Sequence, residues 1–165
     1  MAVYLRVRLT RPVVRQTTLV HLAERVLSAI GESRSELSLE LTGDRRMRRL
    51  NREHRKKDRP TDVLAFPIRE AVMPRGVRLI TTQMLGDVVI SLPTAVRQAK
   101  KAGRSINDEL AMLLVHGVLH LCGYDHERNQ REAARMSRRE QALLRLISPV
   151  PRMVRLRAEL KTRGR

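Results

Sequence analysis

Aromatic residues are almost missing from this 165-residue chain: it holds two tyrosines, one phenylalanine and no tryptophan, at Tyr4, Tyr124 and Phe66. That scarcity argues against nucleic-acid modules built on stacking platforms, which need several exposed rings. Cysteine occurs once, at Cys122, which rules out an intramolecular disulfide framework and any Cys-rich zinc knuckle. No apolar run approaches the ~18–20 residues of a membrane span. Arg6, Arg8 and Arg11 interrupt the N-terminus where a signal peptide would carry its apolar region. The expected compartment is therefore the cytoplasm, with no membrane partner. Acidic residues are also scarce: 17 Asp and Glu stand against 34 Lys and Arg, for a formal net charge of +17. An excess of this size repels itself unless screened or matched by phosphates, so a polyanionic partner is expected. With 42% hydrophobic residues the chain can still build a core, and its length fits one domain.

The charge is unevenly placed. Residues 1–30 and 31–60 each carry +4, 61–90 carry 0, 91–126 carry +1, and 127–165 carry +8. A nearly neutral centre between basic flanks fits an active region served by an electrostatic funnel; solvated, Arg-decorated helix faces are the plainer explanation for any single arginine. Val3, Leu5, Val7 and Leu9 alternate with polar residues and predict a strand. Leu19, Ala23, Val26, Leu27 and Ile30 recur at helical spacing up to Gly31. A second strand follows over Leu37–Leu41, then a short basic helix from Asp44 to about His54. Thr61–Phe66 and Gly86–Ser91 read as two further strands, joined by a loop carrying Pro67, Pro74 and Gly76. Helices are predicted from Leu92 to Ala102, from Ser105 (a capping-box position) to Leu121, and from about Arg128 to Ile147. The expected fold is α+β: a single domain over residues 1–149 with a small mixed sheet of about four strands packed with helices. Residues 150–165 read as a basic C-terminal tail.

The strongest chemical signal lies at residues 116–126. His116 and His120 are four apart on a predicted helix, so both imidazoles project from one face. Gly123 can end that helix in a left-handed turn and bring His126 to the same side. Three neutral imidazoles converging on one point suit a zinc-like ion and leave a fourth position open. The spacing matches the three ligands of metzincin proteases, which carry a glutamate after the first histidine as general base. Here that position is Gly117, which counts against peptide hydrolysis. Cys122 is expected to face away from the metal as a small buried hydrophobe. Asp125 either orients a ligand histidine or caps the following helix.

At this point the sequence resembles the YbeY family of bacterial endoribonucleases. Residues 116–126 are similar to its HGxLHLxGYDH pattern, Thr61–Pro67 to its TDVLSFP, and Leu85–Ile90 to its GDIxI strand. The resemblance runs from about Leu37 to Leu146, and it implies a zincin-like metal-binding helix. By position it implies His116, His120 and His126 as ligands of one Zn2+ per chain and Arg55 as the functional arginine. His54 stands where the family favours Tyr, and Ala65 where it favours Ser, so no role passes to either. The implied activity is metal-dependent, single-strand-specific cleavage of RNA, in maturation of small-subunit rRNA ends and in ribosome quality control. The ribosomal small subunit and an assembly GTPase are partners it admits.

Arg55 has a physical rationale of its own. It follows a basic helix, and a guanidinium fork grips phosphate oxygens bidentately while staying charged at any working pH. Facing a metal, it would complete a two-sided clamp on a phosphodiester. Without the resemblance the better reading is one more solvated base among Arg52, Lys56, Lys57 and Arg59, which are themselves expected RNA contacts; the resemblance reverses it. Two other functions are consistent with the residues. One is a zinc-stapled RNA-binding ribosome-assembly factor with little catalysis; the other is a metal-dependent hydrolase of a different substrate.

Overall fold

The computed structural model describes residues 2–68 and 84–156. In chain order these form β1 (Ala2–Val7), β2 (Val13–Val14), α1 (Gln16–Ala29), β3 (Glu36–Thr42), α2 (Asp44–Arg55), β4 (Val63–Pro67), β5 (Met84–Ser91), α3 (Leu92–Ala102), α4 (Ile106–Leu121), α5 (Gln130–Ile147) and β6 (Val154–Arg155). Four strands make a mixed sheet in the order β1-β3-β5-β4. The first three are parallel, and β4 runs antiparallel to β5 at the sheet edge. The α+β class and the four-stranded mixed sheet are therefore as expected. Pro74 and Gly76, placed in a loop by the sequence, lie outside the described residues.

Strand alternation decides what each sheet face covers. Leu37, Leu39 and Leu41 of β3 are fully buried on one face, in the same core as Leu19, Leu22, Ala23, Val26 and Leu27 of α1. On the opposite face α2 packs Met47 onto Leu64 and Val89. Helix α4 lies deepest: eleven of its residues are buried, so its apolar character extends well beyond one stripe. Met112, His116 and His120 are half-buried and line a cleft at successive four-residue steps. Ser105 caps this helix as expected, its Oγ accepting the Asp108 N–H at 3.0 Å.

Gly117 is what lets α4 sit so close to the sheet. A Cβ there would meet Val88 Cγ1 at 2.7 Å and Val63 Cγ2 at 3.3 Å. Val88 is fully buried and β-branched, so it cannot swing aside. At the position where the proteases keep their general base, Gly117 lines the cleft wall, and a side chain there would collide with Val88 and Val63. Gly117→Ala should lose about 1–3 kcal/mol to overpacking, only partly offset by alanine's helix preference of about 1 kcal/mol. Gly117→Glu, which would also bury a carboxylate, should lose far more. Denaturant titration of both variants checks this; a Glu variant as stable as the parent would refute the packing account.

The short pair β2–β6 is not visible in the sequence, because two-residue strands have no periodicity to read. β6 pairs antiparallel with β2, and Met153 and Val154 are 0% and 1% exposed. Asn107 Oδ1 accepts both of their N–H groups, at 2.8 and 2.9 Å. Residues up to Arg155 thus belong to the packed structure, although the chain after Pro149 is basic.

Candidate metal centre and its cleft

The helix-ending turn after α4 forms because Gly123 takes φ +92°. Its N–H bonds the His120 carbonyl and the Tyr124 N–H bonds the Leu119 carbonyl, both at 3.1 Å. This is the paired closure that a left-handed glycine permits. Asp125 Oδ1 then accepts the Glu127 N–H at 2.9 Å and shapes the turn that carries His126. Asp125 does not cap α5 and is not hydrogen-bonded to an imidazole among the described residues, though its charge acts on the His120 ring. The cap of α5 is Asn129, whose Oδ1 accepts the Glu132 N–H at 2.8 Å. Cys122 packs against the apolar core.

The three histidines come together. His116 Nε2 lies 3.0 Å from His120 Nε2, and His126 Nδ1 lies 3.1 Å from the same atom. One ligand atom from each falls within 4.8 Å of the others. Two nitrogens bound tetrahedrally at 2.0–2.1 Å to one ion stand about 3.3 Å apart, so the donor set fits a single zinc-like ion. Burial pushes the His120 imidazole below its ordinary pKa, and the neighbouring His116 and His126 push it further. A depressed pKa favours the neutral ring that a metal requires.

Glu140, on α5, is the site residue that sequence reasoning missed. Its Oε1 lies 2.5 Å from His116 Nδ1, so Nδ1–H donates to the carboxylate and Nε2 keeps its lone pair for the centre. Such a carboxylate fixes tautomer and ring orientation and raises ligand basicity. Glu140→Gln should weaken metal affinity about 10–100-fold with little change in fold. Competition with a metal-binding dye measures it, and unchanged affinity would show that the contact does not tune the centre.

A cleft of about 890 Å³ opens over the histidines. Its walls are β4, the exposed stripe of α4, the turn from Gly123 to Glu127, Glu140 and Leu144 of α5, and His54 with Arg55 at the end of α2. Arg55 therefore shares a cleft with the three histidines although about 60 residues separate them in sequence. Its Nη2 donates to Glu127 Oε1 and Oε2 at 3.0 and 3.3 Å. The hydrogen bond and the charge of Arg55 hold the Glu127 carboxyl below the usual range. His54 packs against Phe66 with ring centroids 4.9 Å apart and the rings tilted by 59°. Arg52, Lys56, Lys57 and Arg59 are exposed and do not line the cleft. Arg52 lies 3.8 Å from Asp58. The Arg59 carbonyl accepts from the buried Asn51 Nδ2 at 2.8 Å, which ties down the segment after α2.

No helix among the described residues is long and apolar enough to cross a membrane. A solution structure from Thermotoga maritima matches the fold with a TM-score of 0.59 at 21% identity, covering 98% of this chain and 93% of that one. The chain is 42% identical over 142 residues to "Endoribonuclease YbeY" of Aquifex aeolicus, covering 86% of this chain and 90% of that protein. It is 46% identical over 126 residues to the protein of the same name in Geobacter metallireducens, covering 76% and 81%. The family model described as Endoribonuclease YbeY matches residues 8–148, a span that takes in Arg55, all three converging histidines and Glu140. On that match and on the two relatives, this chain belongs to the YbeY endoribonuclease family.

Proposed function

We propose that this protein is a zinc-dependent endoribonuclease of the cytoplasm that cuts single-stranded RNA, in maturation of small-subunit rRNA ends and in ribosome quality control. The observation that carries this reading is a three-histidine centre and a guanidinium lining one cleft, in a chain of net charge +17. His116, His120 and His126 would hold the ion, which when bound supplies Lewis acidity toward water and a phosphoryl oxygen. The chain's own residues do the rest. Glu140 keeps His116 in the ligating tautomer. Arg55 presents its fork to phosphate; its bond to Glu127 is partly exposed and so worth only about 0–1 kcal/mol, which an incoming phosphodiester can replace. The catalytic domain in this reading is the expected residues 1–149 together with the packed segment up to Arg155. A small-subunit component or an assembly GTPase would deliver the RNA.

Arg52, Lys56, Lys57 and Arg59 serve as the approach to the cleft rather than its floor. Their contribution is long-range attraction to the phosphate backbone. RNA affinity should therefore fall by orders of magnitude between about 50 and 200 mM salt, with weak base preference. Changing the exposed Arg45, Arg49 and Arg52 to Glu should weaken binding and leave metal content unchanged. Arg46 is a poor choice for this test because its Nε bonds Glu40 at 2.5 Å. Fluorescence anisotropy over a salt series reads the outcome; salt-independent binding would contradict it. The decisive test of the whole function is metal analysis and RNA cleavage by the parent protein and His120→Ala, purified side by side.

A further inference from the structure

Among the described residues β4 is an edge strand: it pairs with β5 on one side and borders the cleft with the other. Ser91 N–H bonds the Asp62 carbonyl at 2.8 Å and Ile68 N–H bonds the Leu85 carbonyl at 3.2 Å. Both belong to the register that pairs Leu64 with Val89 and Phe66 with Asp87. In an antiparallel ladder the intervening residues turn their backbone groups the other way. Val63, Ala65 and Pro67 therefore direct their backbone away from β5, along the free edge. Two of the three donors on that edge are removed. The Val63 N–H is taken by Asp62 Oδ1 at 2.8 Å, and Pro67 has no N–H. What remains is one N–H, at Ala65, among three outward carbonyls.

This pattern selects its ligand. Phosphate oxygens only accept hydrogen bonds and are repelled by a row of carbonyls. An added peptide strand needs N–H donors at alternate residues, and β4 offers one. RNA brings hydroxyl donors, the ribose 2′-OH groups that distinguish it from DNA. Outward carbonyls recur about every 6.7 Å, a spacing that successive riboses of an extended strand can follow.

Building on the endoribonuclease reading, we propose that the free edge of β4 is the rail on which the RNA strand lies, its carbonyls accepting ribose 2′-OH groups and its Ala65 N–H holding register. The rail accounts for a preference for ribose over deoxyribose. Arg55 and the metal centre then take the phosphate that β4 rejects.

The experiment places single 2′-deoxy or 2′-fluoro nucleotides along a short single-stranded RNA, outside the cleaved linkage, and measures dissociation constants and cleavage with the metal-loaded protein. Two or three positions should each lose about 5–10-fold in affinity. Fluorine, which cannot donate, should be no better than hydrogen there. Ala65→Pro should lose about 10-fold in affinity with unchanged metal content, since proline is tolerated at an edge position whose N–H is outside the ladder; Ala65→Gly should bind like the parent. If Ala65→Pro fails to fold, the nucleotide series decides alone. Uniform binding of all substituted RNAs, rescue by fluorine, or an unstructured peptide that competes with RNA for the edge overturns the rail. Absence of cleavage with the 2′-OH dependence intact overturns the endoribonuclease reading instead, so the two fail separately.

Discussion

His120→Ala should lose the metal and RNA cleavage together and remain folded. His120 Nε2 is the atom shared by the two close pairs, 3.0 Å from His116 and 3.1 Å from His126. Its removal leaves two imidazoles and no arrangement of three. Occupancy should drop from about one ion per chain to a small fraction of that, since an open site has three protein ligands and none to spare. The fold should survive because the ring lines the cleft rather than the core, and alanine favours the helix that carries it. Thermal denaturation separates these effects. Added zinc should raise the melting temperature of the parent, as any ligand bound only by the native state does, and should leave the variant unmoved. Cleavage by a metal-free variant at the parental rate would end the metal-dependent reading. Strong RNA binding by a parent protein that never cleaves would favour the assembly-factor function.

How much of this centre could be read from the chain depends on distance along it. His116, His120 and His126 were legible because helical spacing and one glycine bring them together within eleven residues. Glu140 was not, since its place beside His116 is set by how α5 crosses α4, a tertiary fact without a local pattern. Glu127 was passed over for the same reason: only the fold brings Arg55 to it across 72 residues. Gly117 showed as a missing glutamate, but not as the contact that seats α4 on Val88. In the fold, alternation marked β1 and β3, and β4 and β5 read as strands without it, whereas strand order, and with it the place of β4 beside the cleft, lay beyond any sequence period. β2 and β6 were too short to mark themselves. The segment after Pro149 read as a charged tail because Met153 and Val154, buried in the structure, sit among arginines.

Arg55→Lys should slow cleavage even though the charge survives. If Arg55 merely attracts RNA, lysine serves as well, because neighbouring bases already supply the field. If it clamps the phosphate as charge develops, the planar fork matters, and lysine is a point charge without one. Losing a donor of that kind typically costs ~2.7–4 kcal/mol, about 10²–10³ in turnover. Arg55→Ala and Arg55→Glu should lie at or beyond the upper end, with Arg55→Lys between them and the parent. The Glu127 contact sharpens the comparison. Its carboxylate occupies the fork in the absence of RNA, so Glu127→Gln should free the guanidinium and raise RNA affinity a few-fold without raising the rate at saturation. Metal content should stay constant in all four variants, because neither side chain bonds a histidine. Single-turnover cleavage at saturating enzyme reads the rate, and anisotropy reads affinity independently. Parental rates for Arg55→Lys, or losses confined to affinity across the series, would assign Arg55 to the electrostatic funnel and remove it from the chemistry.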